Sequence, residues 1–194
     1  DPPDVILHYS SPIAYAARGT CLQVDDLLAS HAVLNKKTLV QSCWGSVSWK
    51  GKTWGVPING SQAAMWYNVD ILKEEGLPTE RDKLPKTLDE LQALSAKITK
   101  YDGETLLRCG DWPWHSNQGW AWPSMMASNG GGFWDGEKYT INNPKNAELI
   151  KYWLAWIDAV YRGDLDKLNA QGSPSVYPGG LFANKIMAFQ CDGL

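Results

Sequence analysis

The sequence predicts an α/β fold, and three observations predict it. Short apolar runs at 4–9, 105–109 and 185–190 are separated by segments with helix caps and helical apolar spacing. Polar or aromatic groups gather just past each run: "HYS", "DWPWHSNQGW" and "CDG". A composition of 44% hydrophobic and 20% charged residues suits a globular chain with a real core. Alternating strands and helices imply mostly parallel sheets, whose ligands bind beyond the carboxyl ends of the strands.

The elements follow in order. Residues 4–9 (DVILHY) read as a buried strand whose tip holds His8, Tyr9 and Ser10. In "SPIAYAARG" Ser11 is the expected N-cap, Pro12 the first helical residue and Gly19 the stop. "VDDLLASH" reads as a second short helix capped by Asp25 or Asp26, and 35–49 shows no clear period. Extended runs at 53–58 and 63–67 flank the turn-prone Asn59-Gly60-Ser61. Pro57 restricts the first of these runs to an edge or crossing position. A helix over 69–75 stops at Gly76 and Pro78.

Thr87 and Glu90 form a capping box, with Leu88, Leu91, Leu94 and Ile98 on one apolar face. After the strand at 105–109, a helix runs through "WPSMMAS" to Asn129-Gly130. "FWDGEKYTI" signals a hairpin around Asp135-Gly136. Asn143 caps a long helix with Pro144 at its first position and Gly163 at its end. Its expected buried face is Ala147, Ile150, Leu154, Ile157 and Tyr161. A short helix near 181–184 and the strand "KIMAFQ" precede "CDGL".

Composition excludes several function classes. With 18 basic against 21 acidic residues and no basic run, the electrostatic footprint of a nucleic-acid binder is missing. Three histidines, none at ligand spacing, give no metal site, and no cofactor motif is present. No stretch reaches the ~20 apolar residues of a membrane span. The cysteines, Cys21, Cys43, Cys109 and Cys191, form no C-x-x-C pair; two disulfides are permitted, but a chain of this size does not need them.

Eleven Trp against three Phe inverts the usual core preference. Four of those Trp fall within residues 111–123, "DWPWHSNQGWAWP", directly after a strand. An indole offers a flat apolar face and one N–H, which suits the C–H face and hydroxyls of a carbohydrate. A carbohydrate-binding protein and a glycoside hydrolase both fit that feature. The hydrolase needs two carboxylates roughly 5–10 Å apart across the sugar. Asp111, Asp135, Glu137 and Asp192 are available, although Asp135 and Glu137 fall in the hairpin turn; no G-x-S-x-G, P-loop or H-E-x-x-H occurs.

"GKTWGVPINGSQAAMWYNVDILKEEGL" followed by "PKTLDELQALSAKIT" resembles the hinge-and-helix signature of family 1 extracellular solute-binding proteins. "PPDVILHYS", "WPSMMASNGGGFWDGEKYTINNPKNAELIKYWLAWIDAV" and "LFANKIMAFQCDG" are similar to the family's first-lobe strand, second-lobe core and returning strand, with Asn184 in place of the usual Gly. The resemblance implies a two-lobe, type II periplasmic-binding-protein-like fold. In it, 1–60 is part of the first lobe, 61–68 the hinge crossing and 69–194 part of the second lobe. Family members are longer, so it also implies that both lobes are incomplete and that the chain is a fragment, with a leader expected ahead of it.

The function implied is capture of a sugar between two lobes and delivery to the permease subunits of an ABC importer. The protein would be an extracytoplasmic, periplasmic or lipid-anchored monomer of a bacterium or archaeon, and not an enzyme. A non-sugar cargo such as glycerol phosphate or a polyamine is the other binding-protein reading. By resemblance the ligand-facing residues are His8, Tyr9, Ser10, Asn59, Ser61, Gln62, Asp111, Trp112, Trp114, His115, Asn117, Trp120 and Asp192. Trp122, Trp153 and Trp156 are expected in the core.

Overall fold

The computed structural model describes residues 3–60, 63–112, 118–164, 166, 170–172 and 175–193, without the side chains of 118–121. The chain divides into two compact units, Asp1–Ser61 and Gln62–Leu194.

The first unit holds helices α1 (Ile13–Ala17), α2 (Asp25–Ala29) and α3 (Gln41–Gly45) and a hairpin of β1 (Ser48–Trp49) and β2 (Lys52–Thr53). Lys50 and Gly51 turn that hairpin with φ of 51° and 73°, the left-handed pair that a two-residue turn requires. Trp44, Val47 and Ala16 are its buried apolar side chains. The expected cap of α2 is a correction: Val24 is the N-cap and makes no side-chain bond. Asp25 instead accepts the Thr53 N–H at 2.8 Å, while Val24 donates to the Thr53 carbonyl at 2.9 Å. The helix is thereby tied to β2. At α1, Pro12 rather than Ser11 occupies the N-cap position, although Ser11 Oγ still accepts the Ile13 N–H at 3.2 Å.

Residues 4–9 form no strand, and Val5 and Leu7 are 87% and 78% exposed. A strand needs a neighbour for its N–H and C=O groups. The one ladder described in this unit joins β1 to β2. The run at 53–58 likewise leaves its ladder after Thr53, short of Pro57, which has no N–H to give.

The second unit opens with β3 (Ala63–Tyr67) and α4 (Val69–Glu74), then a 3₁₀ turn (Arg81–Lys83), α5 (Leu88–Ile98), β4 (Lys100–Asp102) and β5 (Thr105–Arg108). It continues through α6 (Gln118–Ser128), α7 (Pro144–Tyr161) and β6 (Phe189–Gly193). β3 and β6 pair antiparallel, with Ala64 opposite Asp192 and Tyr67 opposite Phe189. β4 and β5 form a hairpin around Gly103. The mostly parallel sheet is therefore corrected: among the described residues the ladders are antiparallel, two of them (β1–β2 and β4–β5) closed by tight turns that cannot make the crossover parallel strands need, and the third between the sequence-distant β3 and β6. A parallel contact remains at Cys109 and Met187.

The core of this unit lies among α4, α5, α6, α7 and the strands. Thr87 caps α5 by accepting the Glu90 N–H at 3.2 Å; Glu90 in turn accepts the Lys86 N–H at 2.7 Å, not that of Thr87. Asn143 caps α7 by accepting the Asn146 N–H at 2.9 Å. Of the expected buried face of α7, Ile157 and Tyr161 are inside, but Leu154 is half exposed, and Leu149, Trp153 and Trp156 fill the core instead. The two indoles remove more apolar area from water than the leucine would, so they take the core. α6 starts at Gln118, which leaves Pro123 inside the helix rather than at its start. Residues 181–184 make turns rather than a helix, and "CDG" lies within β6 rather than beyond it.

Candidate functional site

β5 runs on into Cys109, Gly110, Asp111 and Trp112, and this strand end is held from three sides. A Cβ on Gly110 would stand 2.2 Å from the Ser95 Cα, so only glycine lets the strand lie against α5. Ser95 Oγ accepts the Asp111 N–H at 2.9 Å. Tyr161, the last residue of α7, donates its hydroxyl to the Asp111 carbonyl. On the third side, the Ala188 and Phe189 N–H groups donate to the Gly110 carbonyl at 3.1 and 2.9 Å. The position of Asp111 is thus set by backbone bonds on both sides of it.

The Asp111 side chain is buried, 7% exposed. Burial pushes its carboxyl up to about 7, against the Trp112 backbone N–H, which favours the charged form. Burial likewise raises the Cys109 thiol, with the Asp111 charge adding to it. The Cys191 thiol is raised first by burial and then by Asp111 and Asp192. Both carboxylates therefore act on one thiol. Asp192, on β6, is held in place: Gln190 Nε2 donates to its Oδ2 at 2.9 Å, and the Gly193 N–H to its Oδ1 at 2.8 Å. The structure brings Asp111, Cys191 and Asp192 to one end of the second unit.

The other expected residues fall elsewhere. Trp112 is 4% exposed, its ring centroid 4.6 Å from that of Tyr161, so this indole is committed to the core. Trp153 and Trp156 are fully buried, as expected, and Trp122 is partly buried edge-on to Trp153 at 5.2 Å. In the first unit His8, Tyr9, Ser10 and Asn59 are exposed. The Ser10 N–H donates to His8 Nδ1 at 2.9 Å, and the His8 ring meets Tyr15 edge-on at 5.8 Å. Ser61, Gln62, Trp114, His115 and Asn117 lie outside the described residues, as does the Trp120 side chain.

Sequence reasoning missed Ser95, Tyr161 and Gln190. Gln190 had a signal, since residues two apart on a strand share a face and it precedes Asp192 by two. Ser95 and Tyr161 had none beyond helical spacing; what they do depends on the fold bringing a strand end to them. Arg108, the base nearest this segment in sequence, is turned to α4, with Glu74 at 2.7 Å and Glu75 at 2.8 Å. No metal-binding cluster of His, Cys, Asp and Glu occurs among the described residues. An open depression of ≈ 390 Å³ lies between the start of α5 and α7, lined by Thr87, Asp89, Glu148 and Tyr152 among others, and it shares no residue with the strand-end group.

Comparison with solved structures shows what this arrangement belongs to. The mannobiose-bound form of CpMnBP1 superposes with a TM-score of 0.77 and 25% identity over 95% of this chain and 45% of its own. The ABC substrate-binding protein Lmo0181 from Listeria monocytogenes, in complex with cycloalternan, does so with a TM-score of 0.72 and 21% identity over 96% of this chain and 46% of its own. The chain thus spans a little under half the length of either. A Brucella abortus protein described as a binding protein is 43% identical over 54 residues, 28% of this chain and 12% of that protein. The fold class is that of the two-lobe binding proteins, and no helix among the described residues is long and apolar enough to cross a membrane. The family model for bacterial extracellular solute-binding proteins matches residues 1–184, and the chain belongs to that family.

Proposed function

We propose that this protein captures a sugar, an oligosaccharide or glycoside, outside the cytoplasmic membrane and delivers it to the permease subunits of an ABC importer. The observation that carries the reading is the family match together with the likeness to mannobiose-bound CpMnBP1 over 95% of the chain. In this reading the protein is a periplasmic or lipid-anchored monomer of a bacterium or archaeon. Asp111 and Asp192 accept sugar hydroxyls, and Trp114 or Trp120 supplies the stacking face that Trp112 does not. His8, Tyr9, Ser10, Asn59, Ser61, Gln62, His115 and Asn117 are its further polar contacts.

Two rival readings are separated by particular residues. One solved relative, UgpB from Mycobacterium tuberculosis, is in complex with glycerophosphocholine, which makes a phosphate ester the natural rival cargo. A phosphate calls for Arg or Lys. The strand-end group instead offers two carboxylates, and Arg108 is engaged by Glu74 and Glu75. A glycosidase is favoured by one observation, a buried carboxyl raised to about 7 in the same group as a second carboxylate.

A thermal-shift screen of mono- and oligosaccharides, glycerol phosphate and polyamines tests the reading, with reducing sugar assayed in the same samples. Binding without turnover raises Tm as RT ln(1 + [L]/Kd) requires. Stabilisation by the phosphate ester or polyamine alone, or release of reducing sugar, would count against it.

A further inference from the structure

The ladder between β3 and β6 sets Trp66 directly opposite Gln190, and Ala64 directly opposite Asp192. Cross-strand partners share a face of a ribbon, as do residues two apart along one strand. One face therefore carries Ala64, Trp66, Gln190 and Asp192, and the other Met65, Tyr67, Phe189 and Cys191. Trp66 stands diagonal to Asp192, an offset of about 7–8 Å in such a ladder and within reach of an aromatic side chain. The residue directly across from the carboxylate is Ala64, whose methyl group adds little bulk beside it.

This face is held in shape. Gln190 is 2% exposed and donates through Nε2 to Asp192 Oδ2 at 2.9 Å. The Asn68 N–H donates to the Ala188 carbonyl at 2.8 Å, and Asn68 Nδ2 to the Phe182 carbonyl at 3.0 Å, which pins the end of β3. A carboxylate accepts at about four sites. At Asp192, Gln190 and the Gly193 N–H take up one on each oxygen, which leaves acceptor capacity for donors from outside.

Trp66 itself is 36% exposed and, among the described residues, belongs to no ring pair. The other indoles of this unit are engaged: Trp112 packs on Tyr161, Trp122 on Trp153, and Trp156 is buried. Trp134 meets Tyr139 on the hairpin around Asp135-Gly136. An indole takes the C–H face of a sugar ring, and a carboxylate beside it takes the hydroxyls. The geometry points to Trp66 as a stacking residue of the sugar site, with the stacked ring donating its hydroxyls to Asp192. The inference rests on the reading that the protein captures a sugar.

Brief oxidation with N-bromosuccinimide, followed by peptide mass spectrometry, tests it on the native protein with and without mannotriose. Saturating mannotriose, its binding established by titration, should shield Trp66 while Trp134 oxidises equally in both samples. Trp66→Ala should lower affinity about tenfold, the scale of one aromatic contact. Trp66→Tyr keeps most of that affinity, and Trp134→Ala leaves it unchanged. Should Trp66→Ala fail to fold, protection in the native protein decides together with Trp66→Tyr. Equal oxidation of Trp66 with sugar bound overturns the inference and leaves sugar binding standing, as does protection with full affinity in Trp66→Ala. Protection that rises with protein concentration in the absence of sugar assigns the ring to a second copy of the chain and also overturns it. An absence of binding overturns the reading beneath it, and the inference with it.

Discussion

Tyr161 donates its hydroxyl to the carbonyl of Asp111, and its ring lies 4.6 Å from that of Trp112. One residue at the end of α7 thus fixes both the strand end that carries the buried carboxyl and the first indole after it. Tyr161→Phe keeps the ring packing and orphans a buried carbonyl. The expected loss is about 1–3 kcal/mol of stability, read from chemical denaturation. A loss near zero would mean that the hydroxyl is not what holds the strand end.

Asp111 also makes stability depend on pH. Its carboxyl is raised from the ordinary 3.8 to about 7 in the folded protein. Between those values the unfolded chain has lost the proton and the folded one keeps it, so stability falls as pH rises through that window. The contribution is complete below about 4 and gone above about 7, with a slope of at most about 1.4 kcal/mol per pH unit. Asp25 and Glu75 are lowered instead, Asp25 by the Thr53 hydrogen bonds and Glu75 by Lys100 and Arg108. Their contributions are lost only as pH falls through the acid range, so they do not mask the window. Melting curves at pH 5 and 8 should differ in the native protein and converge in Asp111→Asn.

Gly110→Ala forces a methyl group to within 2.2 Å of the Ser95 main chain. Neither partner is a flexible side-chain end, so α5 or the strand must move. Overpacking of this kind costs typically about 1–3 kcal/mol and sometimes more, and here it would displace Asp111 as well. Sugar affinity should drop alongside stability, measured by denaturation and titration of the same variant.

In the first unit, Asp25→Ala removes the carboxylate that accepts the Thr53 N–H. The bond joins α2 to β2 across 28 positions of sequence. Its loss should cost about 1 kcal/mol. Amide exchange at Thr53 should accelerate, while exchange in α5 and α7 stays as it was.

Much of this was legible in the sequence wherever the cause was local. Thr87, Asn143 and the Asp135-Gly136 turn do their work within a few residues, and each stands where its chemistry placed it. Ala63–Tyr67 was legible as a strand from its residues, but its partner was not, because β6 lies far along the chain. The run at 4–9 has strand-forming residues but, among the described residues, no strand pairs with it, which no local pattern reveals. At the candidate site, the sequence pointed to the segment after β5 and to Asp111 and Asp192, which the fold places at the β5 end and on β6, respectively. It could not separate Trp112 from its neighbours, because whether an indole faces the core or a ligand depends on where Tyr161 arrives from another helix. Nor could it show that Arg108 would be turned away to Glu74 and Glu75.

The measurement that tests the central claim most directly is a tryptophan-fluorescence titration with mannobiose and mannotriose, with the recovered ligand analysed afterwards. The account predicts a saturable change, weakened in Asp111→Asn and Asp192→Asn, and a saccharide recovered intact. A flat titration across these sugars together with a saturable response to glycerol phosphate, or a cleaved saccharide, would contradict it.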